Sequence, residues 1–172
     1  MNDTYTVFFT HYMSPCGLLT LGEHRGELCM CDWGPRGRDV VRRRLAEYGG
    51  THFKEVLTPL LEEATRQLDE YFARKRQAFD LPLRLRGTLF QKRVWKVLRD
   101  VPYGTRATYT DIAKAMGEPR SVRVVASSIG VNPVSIIVPC HRIIGIDGTL
   151  RGYAGGCVAK EFLLQLESEK PE

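Results

Sequence analysis

Short apolar runs separated by turn signals dominate the first part of the chain. Tyr5–Phe9, Gly17–Leu21 and Leu28–Trp33 predict strands, with turns at Ser14-Pro15 and His24-Arg25-Gly26. A polar helix is predicted over Arg38–Tyr48. Thr58 before Pro59 marks another helix start, since threonine can cap a first-turn amide and proline tolerates the first helical position. Leu61, Ala64, Leu68 and Phe72 then recur at helical spacing. Asp80–Gly87 reads as an extended connector.

The signals sharpen from Thr88. Thr88 and Gln91 fit a capping box, and Phe90, Val94, Val97, Leu98 and Val101 form an apolar stripe. Pro102-Tyr103-Gly104 ends that helix. Thr108 starts another, with Tyr109, Ile112, Ala113 and Met116 on one face. After the turn Gly117–Arg120, Ser121 is expected to cap a third helix with Val122, Val125, Ala126 and Ile129 inward. Two short helices around a tight turn resemble a helix-turn-helix. Asn132-Pro133 breaks the third helix. The β-branched run Val134–Val138 is expected to be buried and extended. A glycine-rich loop leads to a last helix near Val158, with Ala159, Phe162, Leu163 and Leu166 inward. The pattern predicts an α+β chain: a scaffold over residues 1–82, then a mainly helical domain over 83–172.

Charge singles out one stretch. Within 172 residues of net charge +5, residues 83–126 hold 10 Lys+Arg against 3 Asp+Glu, while the flanking segments are each close to neutral. A basic segment around a helix-turn-helix attracts phosphate. No apolar run reaches the roughly 20 residues that span a bilayer, and no signal peptide is visible. Five cysteines without a regular framework suggest reduced thiols in an intracellular protein.

One thiol stands apart. A cysteine is nucleophilic as its thiolate, so it needs a base or a positive charge nearby. Cys140 follows Pro139 and precedes His141 and Arg142. The imidazole of His141 can take the thiol proton, directly or through a water. Glu167 lies one turn beyond Leu163 on the last helix, so its carboxylate points inward and can orient His141. A Cys–His–Glu relay is one reading; an inert buried cysteine beside a core histidine is the other. Cys29 and Cys31 alternate with Leu28 and Met30 and read as packing. With His24 they do not form a standard zinc spacing.

Asn132–Gly145, with its Pro139-Cys140-His141-Arg142, resembles the active-site signature of the O6-alkylguanine-DNA alkyltransferases. The resemblance continues through Gly152–Gly156 and Lys160–Leu164. Upstream it takes in Phe90–Trp95, Pro102-Tyr103-Gly104 and the helix pair, so it spans about residues 82–167. The N-terminal part matches in shape and in Ser14–Gly17. The resemblance implies a ribonuclease H-like N-terminal domain and direct-reversal repair. The alkyl group of O6-alkylguanine passes once and irreversibly to Cys140, with O4-alkylthymine as a further candidate substrate. No cofactor or metal is implied.

It also implies residue roles. The helix-turn-helix enters the minor groove of double-stranded DNA and the damaged nucleotide is rotated out. Arg123 fills the vacated space. Ser121, Val122, Val124, Ser127 and Arg142 join Arg123 and Tyr109 at the DNA. Tyr109 also acts at the flipped base, and Asn132 hinges the third helix to the reactive segment. Ile143, Tyr153, Ala154 and Ile129 line the base pocket, the main-chain carbonyls of Cys140 and Ile143 receiving the exocyclic amine. Arg151 departs from the family by its bulk, and Val122 and Val124 stand where alanines are frequent. A binding-only lesion sensor would lack Cys140. A thiol-sensing regulator would need a dimer helix, which is absent; the protein is expected to act as a monomer.

Overall fold

A computed structural model describes residues 5–34, 43, 46 and 52–169. These divide into two compact units, Met1–Arg86 and Gly87–Glu172. The first unit is a four-stranded sheet of β1 (Thr6–Ser14), β2 (Gly17–His24), β3 (Glu27–Trp33) and β4 (His52–Glu55), in the order β3-β2-β1-β4. Only β1 and β4 run parallel. Arg25 and Gly26 both have positive φ, which suits the tight turn joining β2 to β3. Helix α1 (Pro59–Phe72) starts as expected: Thr58 Oγ1 accepts from Leu61 N at 3.2 Å. Its Leu61, Ala64 and Leu68 are buried. The Tyr12 hydroxyl on β1 donates to Asp69 of α1 at 2.7 Å. The helix expected over Arg38–Tyr48 lies outside the described residues, apart from Arg43 and Ala46.

The sequence boundary at 82/83 falls inside the first unit, for a clear reason. Leu28 N donates to Pro82 O at 2.8 Å and Arg84 N to Leu28 O at 2.9 Å. The connector therefore covers the free edge of β3, which would otherwise expose unpaired backbone.

The second unit is helical. Helix α2 (Leu89–Arg99) opens with the complete Thr88–Gln91 capping box. The two-residue strand β5 (Ala107–Thr108) leads into α3 (Tyr109–Ala115), capped by Thr108 and Asp111. Helix α4 (Val122–Gly130) completes the helix-turn-helix. Trp95 is buried, and its indole N–H donates to Ser128 O at 2.8 Å, tying α2 to α4. A 3-10 turn, Cys140–Arg142, runs into β6 (Ile143–Ile144), which pairs parallel with β5. Helix α5 (Gly156–Ser168) ends the unit. No helix among the described residues is long and apolar enough to cross a membrane.

Three local expectations change. Ser121 makes no side-chain cap: its φ and ψ of −98° and 26° are not those of a capping residue, and its hydroxyl turns to Glu118. Phe162 is exposed rather than inward. Val134–Val138 is buried throughout but is not extended. Ile137 N donates back to Ser135 O at 2.8 Å and Val138 N to Val134 O at 3.0 Å, and Ile136 has φ 69°. An apolar run specifies burial; the tight reversal is imposed by Asn132, described below.

Gly87 supplies a test of the packing. A Cβ there would lie 2.5 Å from Trp95 Cη2. Trp95 is held by its hydrogen bond and cannot yield. Gly87→Ala is expected to cost about 1–3 kcal/mol, read as a lower midpoint in urea denaturation.

Candidate active site

Three residues of the second unit converge on the carboxylate of Glu167. It is buried near the end of α5, and Oε1 lies 2.7 Å from Nε2 of His141. Arg142 donates through Nε to Oε2 at 2.9 Å and through Nη2 to Oε1 at 3.0 Å. The amide of Gly104 adds a fourth donor at 3.3 Å. Gly104 sits at φ 73°, and a Cβ there would meet the Glu167 carbonyl at 2.9 Å, so the close approach needs glycine. The Arg142 guanidinium also donates to Val101 O at 2.6 Å and lies over the Tyr103 ring.

These partners set the protonation states. Burial pushes the Glu167 pKa up, but the hydrogen bonds from His141 and Arg142 outweigh it and hold the carboxyl at about 2. Complete burial lowers the His141 pKa, and Glu167 only partly opposes this. The pair is therefore an ionised carboxylate and a neutral imidazole. A carboxylate can only accept, so Nε2 carries the hydrogen and donates. Nδ1 is left as a lone pair, buried and without a hydrogen-bond partner among the described residues.

Cys140 heads the 3-10 turn that carries both His141 and Arg142. Its sulfur lies 3.1 Å from Nδ2 of Asn132, which also donates to Val138 O at 2.9 Å. The Asn132 side-chain oxygen accepts from Val134 N at 3.0 Å. One amide thus closes the loop 132–138 and meets the sulfur it delivers. The same loop places Ile136, a β-branched residue, in the left-handed region, a strain of about 1–2 kcal/mol.

A cleft opens beside the sulfur. Tyr109, Ile129, Asn132, Tyr153 and Ala154 from the expected set line it, together with Gly130, Ser135, Gly152 and Lys160. The Tyr109 hydroxyl donates to Arg151 O at 3.1 Å, and burial followed by the nearby Cys140 raises its pKa. Ile143 is buried next to the turn, and its carbonyl accepts from Lys160 Nζ. Arg123, Val124 and Ser127 are exposed along α4, while Ser121 and Val122 are half-buried. Arg123 has no side-chain partner among the described residues.

Arg142 is a correction. It was expected at the DNA, yet it is buried and its guanidinium is committed to Glu167 and Val101 O. A cation beside a basic segment is easily read as a phosphate contact; only the fold reveals the buried carboxylate that claims it. Sequence reasoning assigned no part to Lys160, which is 1% exposed. Burial lowers its pKa, partly offset by Cys140 and Cys157. The signal was present: Lys160 precedes Glu167 by seven residues, so both lie on the inward stripe of α5. Among the described residues no cluster of three or more His, Cys, Asp or Glu could hold a metal.

The chain is similar to known proteins over both units. The family model described as "6-O-methylguanine DNA methyltransferase, ribonuclease-like domain" matches residues 7–85, and the one described as "6-O-methylguanine DNA methyltransferase, DNA binding domain" matches residues 89–169. The methylated-DNA–protein-cysteine methyltransferase of Methanosarcina barkeri is 54% identical over 105 residues, covering 61% of this chain and 66% of that protein. The constitutive one of Bacillus subtilis is 49% identical over 83% of this chain and 89% of that protein. The crystal structure of Mycobacterium tuberculosis OGT in complex with DNA is 40% identical, with a TM-score of 0.80 over 94% of this chain and 92% of that one.

The ionisation states make stability acid-sensitive. His141 binds fewer protons folded than unfolded, so its contribution falls as pH drops below its ordinary 6.5. Glu167 has its folded pKa depressed from 4.5 to about 2, so its contribution is present above 4.5 and is lost toward 2. Denaturation midpoints measured from pH 8 to 3 should fall in both windows. Glu167→Gln should flatten the lower one.

Proposed function

The chain belongs to the methylated-DNA–protein-cysteine methyltransferase family, and on that premise we propose that Cys140 accepts the alkyl group of O6-alkylguanine from double-stranded DNA in a single turnover. The observation that carries this is the tautomer forced on His141. Nε2–H is spent on Glu167, so Nδ1 is the base, and it belongs to the residue next to the nucleophile. The thiol proton can reach Nδ1 directly or through a water.

The thiol proton passes to His141, and the sulfur attacks the alkyl carbon in line with the breaking bond to O6. A carbon–sulfur bond forms and the carbon–oxygen bond breaks, its electron pair remaining on guanine. Guanine regains a proton at N1, which balances the one lost by the thiol. Asn132 Nδ2, donating toward the sulfur, stabilises the thiolate. Tyr109, whose raised pKa keeps its hydroxyl protonated, donates to the flipped base once it releases the Arg151 carbonyl. Ile129, Tyr153 and Ala154 flank the base. The Ile143 carbonyl has two lone pairs and engages one with Lys160, leaving the other for the exocyclic amine. The thioether is stable, so the protein is consumed and no cofactor takes part.

The exposed Arg123 on α4 supports its role of filling the space left by the flipped nucleotide, with Val124 and Ser127 beside it on the groove. Ser121 and Val122 contribute at the helix start. Ser128, by contrast, turns inward. The five free cysteines support an intracellular, reducing location.

Two experiments test this. Protein mixed with duplex DNA carrying O6-methylguanine should gain one methyl on the Cys140 peptide by mass spectrometry, and Cys140→Ala should gain none; repeated turnover would contradict the reading. Arg123→Ala should slow repair of the duplex by tenfold or more, roughly. It should spare reaction with a free base analogue. Equal losses on the two substrates would remove Arg123 from that role.

A further inference from the structure

Ser135 has a hydroxyl that the loop around it does not need. It is 1% exposed, and its Oγ makes no hydrogen bond among the described residues. Its backbone is already engaged, the carbonyl accepting from Ile137 N at 2.8 Å. Alanine would hold the loop equally well. A buried hydroxyl without a partner is a net cost to a folded protein, so its partner is expected to come from outside the chain. The residue lines the same cleft as Cys140.

Its place in the cleft narrows what that partner is. Ser135 belongs to the loop that Asn132 closes and that delivers the sulfur. Tyr109, Gly152, Tyr153 and Ala154 come from other segments and form the part of the cleft assigned above to the base. Ser135 shares that loop and that cleft with the sulfur, and the group attached to the carbon under attack must enter the same cleft. A methyl group offers nothing to a hydroxyl. A substituent carrying a polar atom beyond the transferred carbon does.

We propose that Ser135 selects among adducts, its hydroxyl hydrogen-bonding a polar atom on the alkyl group so that an O6-(2-hydroxyethyl) group is transferred in preference to an O6-propyl group of the same length. This rests on the alkyl-transfer reading. A site built to pair a substrate hydroxyl penalises the analogue that lacks it, because the protein group is then left unpaired.

Single-turnover rates on duplexes carrying O6-methyl-, O6-propyl- and O6-(2-hydroxyethyl)guanine provide the test. The unaltered protein should transfer hydroxyethyl about tenfold faster than propyl, the worth of one such hydrogen bond. In Ser135→Ala that ratio should fall toward one, whatever the absolute rates, with the Tm unchanged or higher. Equal rates for propyl and hydroxyethyl in the unaltered protein would overturn the proposal. So would a ratio that survives the substitution, or a Tm several degrees lower, since that would assign the hydroxyl a structural partner. Methyl transfer proceeding normally while the ratio shows no preference would sink the selection alone. Absence of label on Cys140 from all three duplexes would sink the alkyl-transfer reading with it.

Discussion

A carboxylate withdrawn from water is tolerated only when its lone pairs are filled, and Glu167 accepts from three residues, Gly104, His141 and Arg142. The donors come from the turn after α2, through the Gly104 amide, and from the reactive 3-10 turn, through His141 and Arg142, while α5 brings the carboxylate itself. Removing any one leaves a buried charge short of a partner. The cluster is thus the keystone of the second unit. It also does chemical service, because the same carboxylate dictates which nitrogen of His141 holds the proton. Arg142 cancels the charge of Glu167, which lets His141 stay neutral and basic.

The reactive turn depends on a second device. Asn132 satisfies Val134 N and Val138 O with a single side chain and still reaches the sulfur. That arrangement holds Ile136 in a backbone region that branched residues avoid. Strain of this kind persists only where surrounding contacts overdetermine it, and here the whole segment from Asn132 to Ile143 is buried.

Local rules were legible where the chain obeys them. The Thr88–Gln91 capping box, the helix starts at Thr58-Pro59 and Thr108 and the inward stripe of α2 follow from spacing alone. The inward position of Glu167 followed from helical period, one turn past Leu163. The α+β division and the helix-turn-helix were readable for the same reason. What spacing could not convey were partners remote in sequence. Arg142 meets Glu167 across 25 residues, and Gly104 meets it across 63. Ser121 looked like a cap by residue type, but Glu118, three residues earlier, competes for its hydroxyl. The Val134–Val138 run advertised its burial, while its reversal required the amide of Asn132.

A pairing of only two rungs has a wide reach. Ala107 and Thr108 meet Ile143 and Ile144 across two rungs of β5 and β6. Thr108 is also the cap of the first helix of the pair, and Ile143 directly follows the turn that bears the nucleophile. The helix that carries Tyr109 and the sulfur that would meet the lesion are thus mounted on one joint. Tyr109 leaves that joint on one side and the reactive turn enters it on the other, so contact with the duplex and alignment of the thiol share a common reference frame.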